Sequence, residues 1–143
     1  MILRTTLGRA ISRRELREIA ATAFGSIDHH DIVLSITRPL GRSGGSGRMS
    51  TPLPGPLRHR HPEARYLIHC TVRPDWDAEY TAYPSRLPGV VFAGRREFLL
   101  LTIAHEARHV AQHRSGERAW ERPTARERDA EAYALERLYL FRG

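Results

Sequence analysis

The spacing of apolar residues predicts a first helix between Ser12 and Gly25. Ser12 is a good N-cap, and Glu15 stands three residues later, where it completes a capping box. Gly25 follows the last apolar position and is a typical helix end. The positions that recur at helical spacing are Leu16, Ile19, Ala20, Ala23 and Phe24.

Three short segments rich in β-branched and aromatic residues predict strands. They are Asp31–Thr37, Arg65–Val72 and Gly89–Ala93, and prolines or glycines flank the last two. Between the first two strands, residues 41–56 hold five glycines and three prolines and show no periodicity. This composition predicts a mobile loop over 41–62 rather than a domain boundary, because too little chain precedes it to fold alone.

Two longer helices are predicted in the last third of the chain. The first, about Arg95 to Arg114, is apolar nearly all round, which is typical of a buried central helix. The second starts after Pro123 and runs to about Phe141. Its apolar stripe consists of Ala130, Ala134, Leu138 and Phe141.

The central helix contains the motif His105-Glu106-x-x-His109. At about 100° per residue, the two imidazoles lie about 40° apart on one helical face, a spacing that can grip a zinc ion. Glu106 lies beside them as a candidate general base. On the next helix Glu127 faces inward, about 20° from the apolar stripe, whereas Asp129 is expected to face solvent. A buried carboxylate requires a partner, and a cation held by the histidines would supply it.

These residues resemble the zincin metallopeptidases of the gluzincin kind, and are most similar to small ImmA/IrrE-like and SprT-like peptidases. The resemblance implies an α+β domain with an N-terminal helix, a small mostly antiparallel sheet, the H-E-x-x-H helix and a C-terminal helix carrying a glutamate ligand. It implies zinc bound by His105, His109 and Glu127. It also places Glu131 behind them, orienting a ligand histidine. The whole chain, 1–143, would be one such domain.

The third ligand has alternatives in the sequence. Thr124-x-x-Glu127 also fits a capping box, and in that case Glu131 would be the ligand. His113 could complete an all-histidine site, although its place at a helix end also suits a histidine that favours the negative pole of the dipole.

The expected activity is hydrolysis of peptide bonds by a zinc-activated water, with Glu106 as the base. Tyr133, His113 and Tyr83 are candidates for stabilising the oxyanion, and Gly89–Ala93 is a candidate edge strand for a peptide substrate. Two other function classes stay open. One is a zincin-like metal-binding or regulatory protein without peptidase activity, and the other is a basic nucleic-acid-binding module.

Charge and cysteine content limit the remaining classes. The net charge is +7, and all 23 basic residues are arginines spread along the chain, which predicts at most weak, non-specific nucleic-acid binding. Cys70 is the only cysteine, so no disulfide forms within the chain, and a reducing, cytoplasmic location is expected. No segment has the ~20 apolar residues of a membrane span. The sequence does not indicate an oligomeric state.

Overall fold

The structure is a computed structural model that describes residues 1–40, 45–77, 80–83, 89–116 and 122–143. Within these ranges the chain is α+β, as expected. The helices are α1 (Arg13–Phe24), α2 (Gly55–Arg60), α3 (Gly94–Ser115) and α4 (Pro123–Arg142). The strands are β1 (Ile2–Thr5), β2 (Ile32–Thr37), β3 (Gly45–Ser50), β4 (Tyr66–Val72), β5 (Tyr80–Ala82) and β6 (Val91–Ala93).

The main sheet is mixed, with the strand order β1-β2-β4-β3. β1 pairs with β2 and β2 with β4 in parallel, and β3 alone runs antiparallel, against β4. The expectation of a mostly antiparallel sheet is therefore wrong for this sheet. The physical reason for the β1–β2 pair is that α1 connects the two strands. This helix carries the chain back to the end of the sheet where β1 began, so β2 runs in the same direction as β1. β5 and β6 form a separate antiparallel ribbon.

The segment 41–62 contains regular structure, contrary to the loop that its composition predicts. It includes β3 and the short α2, while residues 41–44 lie outside the described part of the chain. The strand lacks a hydrophobic pattern because two of its inward positions are Gly45 and Gly47. A Cβ at Gly47 would lie 2.2 Å from Thr102 Cγ2, so β3 can approach α3 this closely only without a side chain there.

The boundaries of α1 are those that the sequence predicts. Ser12 Oγ accepts a hydrogen bond of 3.1 Å from the backbone N–H of Glu15, and Gly25 ends the helix with a φ of 56°. The carboxylate of Glu15 does not close a capping box in this structure. It forms an ion pair of 2.9 Å with Arg96.

The core lies between the sheet and the helices. α3 is the central helix and packs against α1, α4 and strands β3 and β4. Leu99, Leu100 and Ile103 on this helix are completely buried. Within the described ranges, none of the helices is both long and apolar enough to span a bilayer. The layout places one end of the β3 edge beside the polar flank of α3.

Candidate metal centre

His105, His109 and Glu127 converge on one point between α3 and α4. The two histidines lie one turn apart on α3, and their Nε2 atoms are 3.1 Å from each other. Glu127 Oε2 lies 2.9 Å from Nε2 of His105, and Oε1 lies 3.1 Å from Nε2 of His109. One ligand atom from each residue fits within a span of 4.8 Å. We call these three residues the histidine–glutamate cluster.

Glu127 reaches the cluster because α4 packs against α3 through its apolar stripe. Ala130 and Ala134 of this stripe are buried. The alternative role for Glu127, in a capping box with Thr124, is not seen. The helix begins at Pro123 with Arg122 as N-cap, so Thr124 already lies inside the first turn, and no side chain caps this end. The carboxylate of Glu127 is thereby left to face the histidines.

Glu106 lies on the side of α3 that faces β3. Its side chain is nearly buried, at 8% exposure, and its carboxylate accepts a hydrogen bond from the backbone N–H of Met49. Burial and the neighbouring charge of Glu127 raise the pKa of Glu106 to about 7, against the opposite effect of the Met49 hydrogen bond. A carboxyl group with this pKa can exchange a proton near neutral pH, as a general base must.

Gln112 fixes the orientation of His109, a role that the sequence did not suggest. The Gln112 side chain is 1% exposed, and its Nε2 donates to the Arg126 backbone oxygen at 3.0 Å and to Asp129 Oδ2 at 2.7 Å. Because the amide nitrogen has these two acceptors, the oxygen Oε1 is the atom that faces His109 Nδ1, at 2.8 Å. Nδ1 therefore carries the hydrogen, and in the neutral ring Nε2 presents its lone pair to the cluster.

Asp129 and Arg108 extend this network to the surface. Asp129 Oδ2 accepts from Nε of Arg108 at 2.7 Å as well as from Gln112. The expectation that Asp129 simply faces solvent is therefore wrong, because Arg108 and Gln112 of α3 reach across to it. Although partial burial raises the pKa of Asp129, these hydrogen bonds lower it below its usual value overall.

Glu131 lies beside the cluster, 9% exposed and in the wall of the same cavity. The pKa of His105 is lowered by burial and then by His109, and Glu127 and Glu131 act in the opposite direction. Glu131 thus acts on His105 through its charge. His109 Nδ1, for its part, donates a hydrogen bond to Gln112 Oε1.

The three candidates for stabilising an oxyanion differ in whether they line the cavity. The hydroxyl of Tyr133 donates to the backbone oxygens of Ala23 and Phe24 at the end of α1. His113 Nδ1 lies 2.9 Å from the hydroxyl of Tyr66. Neither Tyr133 nor His113 is among the described residues that line the cavity, whereas Tyr83 is.

The cavity at the cluster has a volume of about 480 Å³. One wall is the polar flank of α3, another is the start of α4, and the third is the edge strand β3 with residues 45–49. Tyr83 and Phe98 also line the cavity, as do Arg126 and Glu127 of α4, so its lining is both aromatic and charged. It can therefore admit a segment of chain beside the cluster.

Comparison with protein-family models, curated proteins and solved structures found no match for this chain. Its function is therefore inferred from its own residues and their arrangement.

Proposed function

We propose that this protein is a zinc-dependent peptidase with a zincin-like fold. The observation that carries the proposal is the convergence of His105, His109 and Glu127 beside a cavity, with the Glu106 carboxylate on the neighbouring side of the same helix. Two histidines and one glutamate form a ligand set of catalytic zinc sites, which keep one position open.

The donor atoms of the cluster fit a cation. The tautomer of His109 set by Gln112 directs the Nε2 lone pair toward Glu127 Oε1, an atom that also carries lone pairs. Two such atoms 3.1 Å apart repel each other unless a cation or a proton lies between them. Nitrogen and carboxylate ligands suit zinc, which takes them at about 2.0–2.2 Å.

A bound zinc ion would lower the pKa of a water molecule to about 7 and polarise a substrate carbonyl. Glu106 accepts the proton of the attacking water and then delivers it to the leaving amine. The Met49 N–H holds the Glu106 carboxylate in place for both transfers. Gln112 keeps His109 in the tautomer that a ligand requires.

We assign the substrate-binding edge to β3, a strand that the sequence did not predict. Among the described strands, β3 pairs only with β4, and it forms one wall of the cavity. By contrast β6, the strand within Gly89–Ala93, pairs with β5 in the separate ribbon. An extended peptide can add to an open strand edge through main-chain hydrogen bonds. Such a peptide would pass between β3 and the cluster.

Tyr83 is the lining residue best suited to donate a hydrogen bond to the substrate carbonyl oxygen. Its hydroxyl lies 3.3 Å from Thr102 Oγ1, and burial raises its pKa to about 12. The hydroxyl therefore keeps its hydrogen at neutral pH. In this proposal Tyr83, one of the three candidates that the sequence offered, takes this role in place of Tyr133 and His113.

Zinc content and peptidase activity together test the proposal. The wild-type chain should hold one zinc per molecule and cleave a mixed peptide library in a chelator-sensitive manner. His109→Ala should lose the metal. Glu106→Gln should keep it and lose about 10²–10⁴-fold in rate, since the base is not a ligand. His30→Ala, at an exposed histidine remote from the cluster in sequence, is the matched control and should change neither.

Two results would contradict the proposal. Full zinc retention in His109→Ala would refute the ligand assignment. If the wild-type chain binds zinc but cleaves no peptide, it is a metal-binding protein without peptidase activity.

A further inference from the structure

The outer face of the main sheet, opposite α1 and α3, divides into an apolar half and a polar half. Strand register places paired residues side by side on one face, and alternate residues on opposite faces. Ile2, Val33 and Leu67 form the apolar half, where Leu53 and Leu57 cover Val33 and Leu67. The other half is polar and consists of Arg4, Ser35, Thr37, Ser46, Arg48, His69 and Thr71. We call it the polar outer face.

The fixed charges of this face are all positive. Not one of the four strands contains an aspartate or glutamate. Arg4, Ser35, His69 and Arg48 form one row across the sheet, with the two arginines on the two edge strands. Three strand spacings separate them, or about 14 Å between backbones. Within the described ranges, neither arginine belongs to an ion pair.

Hydroxyl groups and an imidazole fill the space between the arginines. Thr37 Oγ1 lies 3.1 Å from Nε2 of His69, and Ser46 Oγ lies 2.9 Å from Oγ1 of Thr71. Burial and the nearby Arg48 guanidinium lower the pKa of His69, which favours the neutral ring. The face therefore offers two fixed cations and a set of small polar groups. Such groups hydrogen-bond readily to phosphate oxygens.

We propose that the polar outer face binds the sugar–phosphate backbone of nucleic acid without regard to sequence. This proposal goes beyond the peptidase and does not rest on it, although the face meets the cavity at the β3 edge, where Arg48 belongs to both. A phosphate backbone matches two separated arginines with hydroxyls between them. A lipid surface is a poorer match, since Ile2, at 37% exposure, is a single apolar side chain beside this face. A flat face has nothing to enter a groove, so base readout is not expected.

Fluorescence anisotropy with a labelled mixed-sequence DNA duplex, about 20 base pairs long, tests this interaction. The wild-type chain should bind it, with an affinity that falls between about 50 and about 200 mM salt. Arg4→Gln/Arg48→Gln should bind at least about tenfold more weakly at low salt. The slope of log affinity against log salt should flatten by about 2, at ~0.9 per lost phosphate contact.

A matched control separates a built surface from general positive charge. Arg9→Gln/Arg17→Gln removes the same net charge at two exposed positions off the sheet and should bind as the wild type does. Equal weakening in this control would overturn the proposal, as would unchanged binding in Arg4→Gln/Arg48→Gln or no binding by the wild type.

Vesicles of anionic lipid form the second arm of the experiment. Binding to the vesicles without binding to the duplex would identify the face as a membrane contact and overturn the proposal. Thermal melting of each variant establishes that it is folded. The single variant Arg48→Gln changes one exposed residue on an edge strand. It should flatten the salt slope by about half as much as the double variant does.

Discussion

At the scale of single residues, Gln112 connects the two helices that form the cluster. Its amide accepts from His109 of its own helix and donates to Asp129 and to the Arg126 backbone of α4. A buried amide with all of these bonds satisfied is rigid, and the bond partners leave it one orientation. The packing of α4 on α3 therefore also sets the tautomer of a candidate ligand.

Replacing Gln112 with leucine should weaken zinc binding without unfolding the protein. The His109 Nδ1–H would lose its acceptor, and the ring would be free to turn. Loss of such a partner typically costs 10–100-fold in metal affinity, and we expect a loss in about that range. Competition with a chromogenic chelator measures it.

Tyr66→Phe is the control for Gln112→Leu. It removes a hydroxyl that bonds to His113, one position further along α3 and away from the cluster. This variant should keep the zinc affinity of the wild type. An unchanged affinity in Gln112→Leu would show that His109 is positioned by other means.

The sequence predicted part of this site, for reasons that lie in helix geometry. The spacing of His105 and His109 places both on one face of any helix, so no tertiary knowledge is needed. Glu127 could be favoured from its inward position, but only the packing of α4 decides between it and a cap. The role of Gln112 could not be predicted, because its three partners lie on two helices that meet only when the chain folds.

At the scale of elements, β3 determines the shape of the cavity. Its inward positions Gly45 and Gly47 let the strand lie directly on α3, where a Cβ would be 2.7 Å from the Phe98 ring or 2.2 Å from Thr102. The same glycines removed the alternating apolar pattern by which a strand is recognised. β2 and β4 could be predicted because they are rich in apolar, β-branched residues. Of these strands, Leu34, Ile36 and Ile68 are buried in the core.

Gly47→Ala should destabilise the protein by about 1–3 kcal/mol, the usual cost of overpacking a close contact. The added methyl group would meet Cγ2 of Thr102, which is itself buried. Chemical denaturation, with the free energy of unfolding extrapolated to water, measures the change.

A second substitution identifies the clash. Thr102→Ser removes the Cγ2 methyl and keeps the hydroxyl near Tyr83, so Gly47→Ala/Thr102→Ser should regain much of the loss. Ser46→Ala, on the outer side of β3, should change stability by less than about 0.5 kcal/mol. Without any rescue by Thr102→Ser, the close approach of β3 to α3 would not be the cause.

At the scale of the whole molecule, α3 joins the parts that would otherwise be separate. Its middle carries the cluster, and its first turn is tied to the end of α4 and to the β5–β6 ribbon. Glu97 Oε1 accepts from the Ala93 N–H at 2.9 Å and from Arg142 Nη2 at 2.6 Å. Arg142 also donates to the Val91 backbone oxygen at 3.1 Å. The carboxylate of Glu97 thus substitutes for a capping side chain, which Ala93 at the N-cap cannot supply.

This tie predicts a pH-dependent contribution to stability. Burial raises the pKa of Glu97, but the hydrogen bonds from Arg142 and the Ala93 N–H together lower it by more than burial raises it. The pKa in the folded chain therefore lies below its usual value. A lowered pKa means that the contribution is present above the pKa of the unfolded chain and disappears as the pH falls through that of the folded chain. Glu97→Gln should therefore cost about 1–2 kcal/mol at pH ~7, after allowance for the partial exposure of Arg142.

The difference in thermal stability between wild type and Glu97→Gln should shrink as the pH is lowered from about 7 toward about 4, because the wild-type carboxylate becomes protonated. Glu18→Gln tests an exposed ion pair with Arg14 and should change stability by less than about 1 kcal/mol across this range. A gap between wild type and Glu97→Gln that stays constant with pH would mean that the shape of the side chain, and not its charge, joins α3 to α4. Arg142 also bonds to Val91, so loss of its ion pair with Glu97 should loosen the β5–β6 ribbon. Hydrogen exchange at β6 should therefore be faster in Glu97→Gln than in the wild type at neutral pH.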